Sequence, residues 1–250
     1  MKRLSLLLMS AVLITCFGMY GAFRNETLHY VISYKWGLIH KDAGTATLTL
    51  VNSGPDYKLM LAAKTMPWAD RFYRTRDTLT ATVKRADLQP VDYTKITHEK
   101  NTHSRDEIKY SSYGNVTKGE TVRYRNRDGK TVAYRTTLTA SGPVYDMLSV
   151  FYYLRSLDYS SLSKTKSYKA TVFSGKKSET ITIRNLGKER IKLKDKTSRE
   201  AWHIRFNFTT GGGRKSSDDI DTWISTDERH IPLYLVGKLP VGEVRAYYIR

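Results

Sequence analysis

The chain holds a single cysteine, Cys16, in 250 residues, and it falls in the first apolar stretch. Once that stretch is removed, disulfides, thiol catalysis and cysteine-metal sites are all excluded. Acidic residues are the minority, 24 against 42 lysines and arginines. Blocks of like charge are missing, however. The basic residues are spread along the polar phase of extended runs, as in Arg123-Tyr124-Arg125-Asn126-Arg127, which is not the pattern of a nucleic-acid arm. Helical periodicity is scarce, and no Pro- or charge-rich segment marks a boundary between two domains. No motif repeats between the two halves.

The N-terminus is Met1-Lys2-Arg3 followed by an apolar run from Leu4 to about Phe17, with small residues Gly18, Gly21 and Ala22 after it. A short basic region, an apolar core and small residues read as a secretory signal peptide over residues 1–22. An uncleaved anchor is the alternative, because the run approaches the length needed to span a bilayer. Leu13-Ile14-Thr15-Cys16 resembles a lipoprotein cleavage box, but Thr15 is large for the position before the cysteine, and ordinary cleavage is preferred. Residues 23–250 then form one β-rich domain. The formal charge is +18, and +16 without Lys2 and Arg3, which suits an anionic envelope surface better than nucleic acid.

Period-2 alternation dominates that domain. Leu28, Tyr30, Ile32, Tyr34 and Trp36 share one face of a run whose other face carries His29, Ser33 and Lys35. Trp202, Ile204, Phe206 and Phe208 repeat the pattern. Asn126-Arg127-Asp128-Gly129 supplies the positive-φ positions of a hairpin. One stretch differs. Apolar residues at 147, 148, 150, 151, 154 and 157 follow helical spacing, so 146–157 is expected to be helical, with Asp146 at the positive end of the dipole and Arg155 at the negative end. About fifteen strands to one helix argue an all-β, mainly antiparallel architecture. A large curved sheet, half-barrel or barrel-like, would wrap one central helix at about 145–158.

Chemistry is hard to find. His98-Glu99-Lys100-Asn101-Thr102-His103 is one residue longer than the His-Glu-x-x-His zinc motif, and on one extended strand residues five apart point to opposite faces. Gly211-Gly212-Gly213-Arg214-Lys215-Ser216 has the composition of a phosphate loop without its spacing or its helix. Asp218, Asp219, Asp221, Asp227 and Glu228 cluster near the last hairpins, where two carboxylates at glycosidase distance remain an alternative to ion pairing. No catalytic, metal or cofactor residue is assigned.

Three stretches carry a family likeness. They are Glu26-Thr27-Leu28-His29-Tyr30 with Trp36-Gly37-Leu38 and Gly44, the helix core Asp146–Arg155, and Thr222-Trp223-Ile224-Ser225-Thr226-Asp227-Glu228-Arg229-His230-Ile231-Pro232. Together they resemble the bacterial exported family catalogued as domain of unknown function 3108. The resemblance implies export and a β-rich fold over Glu26–Ile249, and it transfers no activity.

The positions singled out as ligand-facing or structural are Tyr30, Trp36, Asp146, Ser149, Arg155, Trp223, Asp227 and Pro232. The expected function is a non-enzymatic envelope module for an amphipathic or anionic ligand, a lipid, lipoprotein or glycan, without nucleic acid. The alternative is a glycan- or lipid-acting hydrolase. Pro232 cannot donate to a ladder, so its strand should be an edge or bend there. Asp227 should accept backbone N–H groups within its turn.

Overall fold

In the computed structural model, residues 23–99, 102–127, 129–211, 213–239 and 241–249 are described. The expected signal segment, with Cys16 and its lipidation alternative, lies outside the described residues. The first half of the chain is a meander of eight strands: β1 (Glu26–Trp36), β2 (Ile39–Ser53), β3 (Asp56–Thr65), β4 (Thr75–Lys84), β5 (Pro90–Glu99), β6 (Thr102–Tyr113), β7 (Val116–Arg127) and β8 (Lys130–Ser141). A short helix, α1 (Pro67–Tyr73), joins β3 to β4. Then come β9 (Val144–Asp146) and α2 (Ser149–Ser156). A second meander follows: β10 (Ser167–Phe173), β11 (Ser178–Lys192), β12 (Ser198–Thr210), β13 (Ile220–Ser225), β14 (Pro232–Lys238) and β15 (Glu243–Tyr248).

All the strands lie in one sheet, in the order β8-β7-β6-β5-β4-β3-β2-β1-β15-β14-β13-β12-β11-β10-β9. The two meanders are joined where β1 pairs antiparallel with β15, Tyr30 opposite Tyr248 and Tyr34 opposite Val244. Every pairing is antiparallel except β9 with β10. The sheet curls until its two ends overlap, giving a nearly closed, barrel-like wall. Phe173 of β10 stacks on Tyr110 of β6 with ring centroids 6.0 Å apart. Its ring also lies where a Cβ on Gly119 of β7 would stand, 2.7 Å away, so only glycine admits this overlap. At the same seam the Val144 N–H donates to Gln89 Oε1 at 3.0 Å.

Alternation explains the wall, and one interruption re-aims it. Leu28 and Tyr30 are buried as their phase requires, but the β1–β2 register shifts between Ile32 and Ser33. The extra residue is on β2, where Gly44 faces Ile32 and Asp42 faces Ser33, so β2 changes face at Ala43 while β1 runs unbroken against β15. Ser33, on the face opposite Tyr30, is buried and donates to Asp42 Oδ1 at 2.6 Å. Trp36 keeps the phase of Tyr30 but lies beyond the last β1–β15 pair, Lys35 with Glu243, and stands 54% exposed instead of in the core. The polar 91–113 segment makes β5 and β6, which lie well inside the sheet order.

Both helices correct the sequence reading. Besides the one helix expected, Pro67 opens α1, where a missing N–H costs nothing. The central helix is shorter than 146–157, because Asp146 belongs to β9 and stands ahead of α2. Leu148, Val150, Tyr152 and Leu154 are buried against the concave face, whereas Phe151 is only half-buried. No helix among the described residues is long and apolar enough to cross a membrane.

Candidate ligand-binding site

Two buried charges fix α2 across the concavity. Ahead of its start, Asp146 Oδ1 accepts the N–H groups of Leu148 and Ser149, each at 2.7 Å, and Ser149 Oγ accepts the Asp146 N–H at 2.9 Å. Complete burial lifts the carboxyl from 3.8 to about 6, against the pull of those donors. At the other end, Arg155 grips both carboxylate oxygens of Glu26, donating to Oε1 through one terminal nitrogen and to Oε2 at 3.1 Å through the other. It also donates to the carbonyls of His230 at 3.1 Å and Arg229 at 2.9 Å. Phe23 and Tyr152 cover the guanidinium, each ring centroid 5.0 Å from it. The guanidinium therefore ties together the first strand, the helix and the β13–β14 turn.

Held this way, α2 does not fill the concavity. A cavity of about 540 Å³ runs along it, lined by Val150, Phe151, Leu154, Phe206, Phe208 and Leu235 among others. Its polar lining residues are Ser216, Ser217 and Asp218 of the β12–β13 loop and Lys238 at the end of β14. Ser216, Asp218, Lys238 and the neighbouring Leu239 are all exposed, so the cavity opens there. A second, smaller cavity of about 150 Å³ lies beyond Phe151 and Leu235, which line both, and it is apolar throughout.

The residues expected to matter fall into separate places. Tyr30 and Pro232 meet at the smaller cavity, together with Leu148 and Phe151. Burial pushes the Tyr30 hydroxyl far above its ordinary pKa, so it stays neutral. Asp146, Ser149 and Arg155 position the helix and do not line either cavity. Trp36 is away at the rim. Trp223 is on the outer face, stacked between His203 at 4.5 Å and Tyr234 at 4.9 Å, and Tyr234 in turn stacks on Tyr247 at 4.7 Å. Its ring faces are occupied by these cross-strand neighbours, which makes it part of a sheet-stabilising ladder.

Asp227 closes its turn as expected, accepting the Arg229 N–H at 3.0 Å and the Ser225 hydroxyl at 2.9 Å. Arg155 pairs with Glu26 and not with Asp227. Pro232 lies opposite Ile224 at a register shift inside the sheet, so the strand bends there and is not an edge. The acidic cluster is dispersed. Asp219 accepts from Asn207 at 2.7 Å, and Asp221 meets His203 and Arg205, both at 2.8 Å. His98 and His103, assigned to opposite faces, are instead direct partners across the β5–β6 hairpin with rings 4.7 Å apart. A turn between two residues cancels the parity that one continuous strand would impose. Among the described residues, no group of three or more His, Cys, Asp or Glu side chains is placed to hold a metal.

Sequence reasoning missed Glu26 as the partner of Arg155, and it missed the cavity wall. Glu26 lies 129 residues from Arg155, with no local signal joining them. Phe206 and Phe208 were recognised as apolar, but an apolar stripe reads the same whether it meets a side chain or a void.

The profile of a family described as "Protein of unknown function (DUF3108)" matches residues 29–248. The chain belongs to that family. No curated protein matches this DUF3108 chain. Among solved structures it resembles the beta-barrel-like protein of domain of unknown function DUF1849 from Brucella abortus, with a TM-score of 0.58. The identity is 12%, over 91% of this chain and 96% of that one. A likeness at that identity concerns the fold.

Proposed function

We propose that this DUF3108 protein is an exported, non-enzymatic envelope module that holds an amphipathic molecule, its apolar part in the cavity along α2 and its polar part at the mouth. The carrying observation is the cavity itself. Its volume lies within the ~300–1,000 Å³ typical of ligand sites, its walls are apolar, and its polar groups are confined to the opening. The N-terminal basic-apolar-small pattern supports export. A glycosidase would need two carboxylates facing the substrate. The cavity lining includes one, Asp218, at the rim.

A fluorescent dansyl fatty acid added to the purified protein should show saturable emission enhancement, reversed by palmitate or a lysophospholipid. Leu235→Trp, which fills the junction of the two cavities, should abolish the signal while leaving the β-sheet circular dichroism intact. Val244→Phe serves the same purpose from another wall. Equal probe binding by both filled variants would overturn the reading.

A further inference from the structure

Four connections gather at the end of the barrel where β1 finishes and β2 begins. They are the β1–β2 turn, α1, the β14–β15 turn and the β12–β13 loop. Short bonds tie them to the wall. The Trp68 indole N–H donates to the Asp42 carbonyl at 2.7 Å and the Met66 N–H to the Ala43 carbonyl at 2.7 Å, seating α1 beside β2. The Tyr34 hydroxyl donates to the Val241 carbonyl at 2.7 Å, drawing the β14–β15 turn onto β1. Gly242 sits there at φ +80°, where any Cβ would overlap the Lys35 carbonyl oxygen.

This end carries the concentrated apolar exposure of the molecule. Trp36, Leu38 and Ile39 on the first turn, Phe72 and Tyr73 on α1, and Leu239 and Val241 on the β14–β15 turn are seven of the sixteen exposed large apolar side chains among the described residues. Leu38 is fully exposed. Cations stand among them: Lys41, Arg71, Arg74, Arg214, Lys215 and Lys238 are all exposed. Most nearby acids are already engaged, Asp70 with Arg76 at 2.7 Å, Asp42 with Lys194 at 2.5 Å and Glu243 with Arg245. Asp218 remains the exposed carboxylate of these connections. The mouth of the larger cavity, at Lys238 and Leu239, opens within the same patch.

We infer that this end docks on an anionic lipid bilayer, the apolar tips entering the headgroup region and the cations meeting lipid phosphates. Apolar tips projecting between basic side chains fit a soft interface that accepts them singly, and anionic lipid adds a favourable contribution per cation. A protein partner would need a complementary acidic surface with pockets for each tip. The inference builds on the cavity reading, because docking would bring the mouth to the surface from which a chain can enter. It can fail independently of it.

Flotation with vesicles of phosphatidylcholine, with and without phosphatidylglycerol, tests this. Binding should require phosphatidylglycerol and weaken as salt is raised. Arg71→Gln with Arg74→Gln should weaken it about thirtyfold, at roughly fivefold per cation. Leu38→Asp with Phe72→Asp should remove binding, whereas Lys109→Gln with Arg190→Gln, exposed on β6 and β11, should leave it unchanged. Equal loss from the rim and control pairs, or equal binding to neutral vesicles, would overturn the inference. So would rim-dependent self-association without vesicle binding. The rim variants should still take up the fatty-acid probe from solution, and Leu235→Trp should still float. Loss of one property alone identifies which of the two readings fails.

Discussion

Arg155 near the end of α2 and Asp146 just ahead of its start are both buried charged groups, yet their surroundings differ. Arg155 has two carboxylate oxygens and two backbone carbonyls arranged around its guanidinium, and its charge is balanced by Glu26. Among the described residues, Asp146 has no cation partner. One of its oxygens takes two backbone N–H groups while Oδ2 is buried with no hydrogen-bond partner. The hydroxyls of Tyr93 and Tyr110, also buried and unbonded, stand on the wall that the Asp146 end packs against. A fully matched charge holds geometry, because moving either partner exposes the other to an apolar interior. A half-matched one has a cheap alternative, which is to take up a proton. The same helix is therefore locked at one end and titratable at the other.

Removing one partner from the locked end should have the largest effect. Glu26→Gln or Arg155→Met leaves a buried charge or a buried carboxylate without its counterpart, and each should cost about 3–5 kcal/mol. The pair Glu26→Leu with Arg155→Met should recover much of that loss, since replacing both ions removes the unpaired charge. Urea unfolding of the three variants checks this. Single variants that unfold at the wild-type midpoint would show that the contact does not lock the helix, and the comparison would collapse.

The titratable end should give the next largest effect. The carboxyl of Asp146 is raised in the folded protein from 3.8 to about 6, so the folded state binds its proton first as pH falls. The resulting stabilisation is complete below the ordinary value of 3.8 and is lost as pH rises through about 6. A shift of this size corresponds to about 3 kcal/mol across that window. Asp42, Asp70 and Asp219 have lowered values and contribute in the opposite sense, so the measurable quantity is the difference between wild type and Asp146→Asn. Asparagine keeps an oxygen for the Leu148 and Ser149 N–H groups and carries no charge. The variant should be more stable than wild type at pH 7, and the advantage should vanish by pH 4. Parallel stability curves across that range would mean that Asp146 is as well matched as Arg155.

Which parts of this arrangement the sequence displays follows from the range of each interaction. Leu28 and Tyr30, the hairpin at Gly129 and the stripe of α2 are local patterns, and they read correctly. Asp146 was legible as a carboxylate at the positive end of the helix dipole, though it stands ahead of a helix that starts later than its apolar stripe. Trp36 keeps the phase of Tyr30 and could not be placed at the rim, because how far β15 extends along β1 is written in neither strand. Glu26 with Arg155, and β1 with β15, are contacts between distant segments that alternate equally well in other pairings. The cavity is a property of volume. Val150, Phe206, Phe208 and Leu235 would look the same in sequence if they met in a packed core.

The smallest expected effect concerns how the locked end receives its carbonyls. Arg155 bonds to the carbonyls of Arg229 and His230, and these are presented by the turn that Asp227 closes. His230 adopts φ +44°, an uncommon conformation for a side chain with a Cβ, which the surrounding bonds must hold in place. Asp227→Ala removes the acceptor of the Arg229 N–H and of the Ser225 hydroxyl, while Ser225 Oγ can still accept the Ile231 N–H, now at 2.8 Å. Since Asp227 is exposed and water can replace part of what is lost, the cost should be about 1 kcal/mol, with fatty-acid probe binding unchanged. If the turn acts by aiming carbonyls at Arg155, the cost should shrink in the Arg155→Met background, where no guanidinium needs them. A double-mutant cycle in urea reads that coupling directly. Additive costs would confine Asp227 to its own turn, and the lock would then consist of Glu26 and Arg155 alone.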